Sequence, residues 1–213
     1  MSFYLRLTVC SLLAGSAMIA GERAGNWNAN YSACDGHSEL FKNGALKVGV
    51  RFSTSNPGLR TECVRALDFW ATVLDMEWHE TDSRACAIQI VDGRPGLFNS
   101  AQVARAQLPG RSGFQGSIAF NLTFRLPANE QFFIAVHELG HVFGLPHNSN
   151  ASSIMFYLNV DEPFALDSAD LAALASRHKL RIDGLDQPFP VTAPGAVAAG
   201  PRARVVNNAG IPE

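Results

Sequence analysis

The residues with the clearest chemical potential fall in one short run, His137-Glu138-Leu139-Gly140-His141-Val142-Phe143-Gly144-Leu145-Pro146-His147. On an α-helix, residues four apart share a face about one turn apart, so the imidazoles of His137 and His141 can reach one ion. Zinc takes nitrogen ligands at ~2.0–2.1 Å in a roughly tetrahedral set, so two histidines are not enough. Gly144 is a residue at which a helix can end in the left-handed conformation, and Pro146 forbids its resumption. A turn at Gly144 therefore brings His147 back as a third ligand. The fourth position stays open to water, and that openness marks a catalytic zinc site rather than a structural one.

Glu138 follows the first histidine and points to a different side of the helix, toward the water rather than the metal. A carboxylate there can take the water's proton, aim the resulting nucleophile at a carbonyl carbon, and deliver the proton to a leaving amine. The bland alternative is a core helix whose histidines merely hydrogen-bond. HExxH alone is a short pattern. With Gly144 and His147 at the required spacing, the metal reading is the one adopted.

The elements that must position these residues are legible as periodicities. Glu130 to Phe143 is apolar on nearly all sides and reads as a helix running through the core. Thr61 to Met76 spaces Val64, Leu67, Phe69, Trp70, Val73 and Leu74 as an amphipathic helix. Asn56-Pro57-Gly58 before it reads as a turn. Ala45 to Phe52 alternates as a half-buried strand, and Glu77–Thr81, Cys86–Val91, Val103–Leu108 and Gly116–Asn121 read as further strands. Ser168 to Leu180 is a third helix, with Ser168 or Asp167 as N-cap and Lys179 and Arg181 near its end. From Gly184 the chain is rich in Pro, Gly and Ala and reads as a flexible tail.

Composition narrows the partners and the compartment. The 213 residues are 47% hydrophobic and 17% charged with a net charge of −2, enough for one core and without the concentrated basic face that nucleic acid needs. Residues 1–20, a short basic start followed by the apolar run Leu7–Ala20, have the layout of a cleaved signal peptide. The run is shorter than the ~20 apolar residues of a membrane span. The expected location is secreted and extracellular, or periplasmic in a bacterium, with no membrane association after cleavage. Three cysteines remain, and Cys63 with Cys86 is the first-choice disulfide, leaving Cys34. His37, His79 and His178 stand alone and read as surface or helix-end residues. Asn30, Asn121 and Asn150 begin sequons that matter only in a eukaryotic host.

HELGHVFGLPH resembles the metzincin signature, and Ser153-Ile154-Met155-Phe156-Tyr157 resembles that clan's methionine turn. The resemblance implies that Met155 lies beneath the metal as an apolar floor. It also implies that Tyr157, like a tyrosine of astacins and serralysins, acts near zinc as a switching ligand or oxyanion donor. A Tyr lining the substrate cleft is the structural alternative. Elsewhere the likeness is to the matrixin branch: Ala104 to Pro109 with Gly116 to Asn121 resembles its strands above the cleft, and Phe164 to Leu174 its closing helix. Residues 80–136 contain no histidine, so the second, structural zinc of matrixins is not carried over. The usual propeptide switch is missing, although Cys34-Asp35 could cap the open metal position. Nothing in the sequence marks a calcium site.

These readings combine into one expectation. The fold is α/β (α+β), a metzincin-like unit with a twisted, mostly parallel sheet, an antiparallel edge strand, an active-site helix and a C-terminal helix. Residues 1–20 are the signal, 21–44 an irregular lead-in or short pro-segment, 45–183 the catalytic domain and 184–213 the tail. The function is that of a monomeric zinc endopeptidase binding extended peptide along a sheet edge. A catalytically silent zinc-stabilised binding module is the rival, and Glu138 argues against it. A third reading, a closed structural zinc site, needs Cys34 or Tyr157 to be bound permanently at the fourth position.

Overall fold

The computed structural model describes residues 46–82, 87–94, 96–99, 102–107, 116–156 and 164–193. Strand β1 (Leu46–Ser53) buries Leu46, Val48 and Val50 and lies between two parallel neighbours. Helix α1 (Pro57–Val73) begins four residues earlier than the periodicity suggests. Asn56-Pro57-Gly58 is its N-terminus rather than a separate turn. Asn56 sits in extended backbone and its side chain accepts the Leu59 N–H, while Pro57 fills the first helical position, where no N–H is needed.

Strands β2 (Met76–Glu80), β3 (Ala87–Asp92), β4 (Ala104–Ala106) and β5 (Ser117–Phe120) complete a five-stranded sheet in the order β2-β1-β3-β5-β4. All pairs are parallel except β4 with β5, so the antiparallel strand is the edge, as expected. Helix α2 (Ala128–Val142) packs across α1 on this sheet. Trp70 is wholly buried between them and donates its Nε1–H to the Val136 carbonyl at 3.1 Å, so its one polar atom is satisfied. Phe132 and Phe143 pack beside it. Below lie Val48, Val50, Ile88, Ile90 and Ile118 from the sheet. Each such side chain contributes roughly 1.5–3 kcal/mol by leaving water.

The C-terminal third departs from expectation. Helix α3 (Ser168–Ala175) starts at the Asp167 cap but stops well short of Leu180. Arg177 N–H bonds tightly back to Leu174, and the chain is then drawn to α1's end, where Leu180 bridges Leu74 and Arg181 N–H reaches the Val73 carbonyl. Lys179 and Arg181 accordingly face Asp75, at 2.7 and 3.4 Å, rather than a helix end. Strand β6 (Phe164–Leu166) pairs antiparallel with β7 (Phe189–Val191), so the segment after Gly184 is not tail throughout. Phe189 and Val191 join the core, which outweighs the Pro and Gly around them.

Cys63 is a free thiol in the core, a correction to the expected disulfide, and burial pushes its pKa up to about 12. Cys86 and Cys34, the signal segment and residues 21–44, and Tyr157 lie outside the described residues. Among the described residues no helix is long and apolar enough to cross a membrane.

Candidate metal centre

Helix α2 ends at a glycine cap. Gly144 has φ +96°, its N–H bonds to the His141 carbonyl at 3.0 Å, and the Leu145 N–H reaches back to Gly140 at 2.9 Å. These are the two hydrogen bonds of a Schellman motif, which satisfies the last carbonyls while turning the chain aside. The turn redirects Leu145, Pro146 and His147 over the face that carries His137 and His141.

The three imidazoles converge. One ring nitrogen from each of His137, His141 and His147 lies within 4.8 Å of the others, the one such group of potential ligands among the described residues. Ring centroids are 4.7 Å apart for His137–His141 and His141–His147, and 5.4 Å for His137–His147. His141 Nε2 and His147 Nε2 stand 3.2 Å apart. Two nitrogens sharing one tetrahedral zinc at ~2.0–2.1 Å would be about 3.3 Å apart.

Backbone carbonyls set the tautomers. His137 Nδ1 lies 2.6 Å from the Ile154 oxygen and His141 Nδ1 lies 2.7 Å from the Leu145 oxygen. A carbonyl only accepts, so each Nδ1 carries the proton and each Nε2 presents a lone pair. Burial, the main cause, pulls His137 down to about 4 and His141 to about 3, and lowers His147 as well. Neutral imidazole is the form that binds a metal. Donor type, spacing and protonation all fit zinc.

Glu138 is 8% exposed and lies outside the ligand group. Burial pushes its carboxyl up to about 8, opposed by a hydrogen bond from the Ala106 backbone. A cation on the neighbouring histidines would act in the same direction as that hydrogen bond, favouring the carboxylate. Ala106 belongs to edge strand β4, in which Gln107 N–H bonds to Ser117 and Val103 accepts from Asn121. By antiparallel alternation Arg105 also faces β5, so the backbone groups of Ala104 and Ala106 face the free edge.

Met155 is wholly buried, and its turn supplies the Ile154 carbonyl to His137. Gly140 was not singled out by sequence, yet it makes room for Met155: a Cβ there would fall 2.6 Å from the sulfur. A glycine inside a helix is the signal that could have marked it. The Ile154 and Leu145 carbonyls carry no side-chain signal at all. His178 is a helix-end residue as expected, but it packs inward, its Nε2 bonding the Phe143 carbonyl at 2.9 Å. His79 lies exposed on β2.

The family model described as Matrixin matches residues 51–178. Over 143 residues the chain is 26% identical to matrix metalloproteinase-A of Caenorhabditis elegans, covering 62% of this chain and 27% of that protein. It is 30% identical over 158 residues to matrix metalloproteinase-16 of Homo sapiens, covering 63% and 25%. With human matrix metalloproteinase-17 it shares 35% over 104 residues, covering 42% and 17%. These alignments span about a quarter or less of the relatives' own lengths.

Proposed function

The chain belongs to the matrixin family, and on that footing we propose that it is a zinc-dependent endopeptidase with His137, His141 and His147 as the ligands of one zinc ion. The observation that carries the proposal is the convergence of the three rings with two Nδ1 atoms already committed to carbonyls. Zinc in that position supplies Lewis-acid polarisation of a peptide carbonyl and of a water molecule.

Glu138 is the base of this reading. Its carboxylate, aimed by the Ala106 N–H, takes the proton of the attacking water and returns it to the leaving amine nitrogen. The free edge of β4 at Ala104 receives an extended peptide by strand addition, which favours bonds within a chain over its ends. Met155 is the floor of the metal site. Tyr157, by its likeness to the tyrosine of astacins and serralysins rather than to matrixins, is the candidate oxyanion donor or switching ligand. The catalytic unit is residues 45–183 together with strand β7, and the apolar leader 1–20 directs it to extracellular protein substrates.

Incubating the purified chain with a denatured protein mixture tests this. Internal fragments should appear and vanish with a zinc chelator. Glu138→Ala should retain zinc yet lose at least ~10²-fold in rate. Chelator-insensitive cleavage, or full activity in the variant, refutes the mechanism.

A further inference from the structure

His137 and His141 stand on helix α2, whereas His147 stands on the irregular segment beyond its end. What holds that segment is a polar network ending on α3. Asn148 N–H donates to the Met155 carbonyl at 2.8 Å, and Met155 N–H donates to Ser153 Oγ at 2.9 Å. Ser153 Oγ donates to Asp170 Oδ2 at 2.6 Å, while Asn148 Nδ2 donates to Asp170 Oδ1 and to Asp167 Oδ2, both at 2.9 Å. One carboxylate thus grips both ends of the loop, the residue beside the third histidine and the hydroxyl beneath the methionine turn. Asp170 is 4% exposed and Ser153 1%, so the bond between them is made away from water, while the Asn148 bonds are partly buried.

We propose that Asp170 is a positioning residue of the metal centre, acting through Asn148 and Ser153 to set where the His147 imidazole stands relative to His137 and His141. The inference rests on the zinc reading above. The helix-capping role of Asp170 does not account for the arrangement. That role uses only the bond from Asp167 N–H to Oδ2 at 3.1 Å, and the remaining two bonds go to the loop. A loop released from them would populate the ligating geometry only part of the time, and apparent metal affinity falls by that fraction. Partners of metal ligands lost in this way typically cost about 10–100-fold in affinity.

The experiment compares the full chain with Asn148→Ala, Ser153→Ala and Asp170→Asn. Zinc affinity is read by competition with a chromophoric chelator, the d–d spectrum after cobalt(II) substitution, and the unfolding midpoint of the metal-free protein. Asn148→Ala leaves the capping box intact and isolates the loop link even if the buried variants fold poorly. Expected are zinc affinities weaker by about 10–100-fold and an altered cobalt spectrum in Asn148→Ala and in every other variant that folds. Unchanged zinc affinity in Asn148→Ala overturns the proposal, whatever happens to the midpoints. A parent chain that takes up no zinc overturns the zinc reading itself, and this inference with it.

Discussion

Gly140 and Met155 meet so closely that a Cβ on the glycine would stand 2.6 Å from the methionine sulfur and 3.3 Å from Trp70 Cζ2. The contact puts the methionine turn directly against the helix turn between His137 and His141. It also explains why a residue that weakens helices occupies the middle of α2.

Exchange of Gly140 for alanine should therefore destabilise. On helix propensity alone Gly140→Ala would gain about 1 kcal/mol. Forcing a methyl into the Met155 contact costs roughly 1–3 kcal/mol instead, and lifts the turn that supplies the Ile154 carbonyl to His137. Urea unfolding of the metal-free protein checks the sign, and a more stable variant would contradict the packing argument.

Gly144 carries a second backbone requirement. At φ +96° an alanine pays on the order of 1–3 kcal/mol of strain, while asparagine tolerates this region better. Either side chain must also displace Arg177, whose Nη1 lies 2.2 Å from where a Cβ would be. Because that clash is common to both, the difference between Gly144→Ala and Gly144→Asn isolates the strain. Alanine should be the worse of the two in unfolding free energy and in zinc affinity. Equal losses would place the cost in Arg177 alone.

Much of the site was legible because its chemistry and its geometry share one local code. The spacing of His137 and His141 and the stop at Gly144 and Pro146 are local properties, and the structure brings these rings together with His147. The sheet's parallel order with its antiparallel edge was legible only through the metzincin likeness, because β2, β3, β4 and β5 follow one another with no helix between them among the described residues. What escaped was set by contacts distant in sequence. Strand β7 exists because β6 lies beside it, and α3 stops early because Leu180 and Arg181 are captured by the end of α1. The start of α1 was missed for a different reason. Asn-Pro-Gly satisfies both a turn and a helix N-terminus, and only the Asn56 hydrogen bond to Leu59 decides between them.

Removing the third ligand should separate metal binding from folding. His147 lies outside the hydrophobic core, on an irregular segment, so His147→Ala should leave the metal-free midpoint nearly unchanged. In the parent chain, zinc at a thousandfold excess over its Kd should stabilise by about 4 kcal/mol, a rise of roughly ten degrees for a domain of this size. The variant should lose most of that rise. A full zinc-induced shift without His147 would remove it from the ligand set.

Acidity gives the last test, in the metal-free protein, because two kinds of buried group pull in opposite directions. Burial holds Glu138 up to about 8, so the native state keeps a proton that the unfolded chain, with an ordinary carboxyl near 4.5, has released. Its contribution is therefore lost as pH rises toward 8. Burial holds His137 at about 4 and His141 at about 3, and lowers His147 and His178 as well. Below the ordinary 6.5 the unfolded chain gains protons that these native imidazoles refuse, so their contribution is lost as pH falls. Each group supplies a slope of up to about 1.4 kcal/mol per pH unit inside its own window. From pH 8 to about 7 the Glu138 slope dominates, and stability rises on acidification. From 6.5 to 4.5 His137 and His141 alone outweigh that one carboxyl, with His147 and His178 acting in the same direction, and stability falls. Unfolding free energy measured against pH should thus peak between about 6.5 and 7. Glu138→Gln should flatten the limb above the peak and keep the limb below it. A parent chain whose stability is level or increasing from pH 7 to 8 would mean that Glu138 is not held neutral by its surroundings.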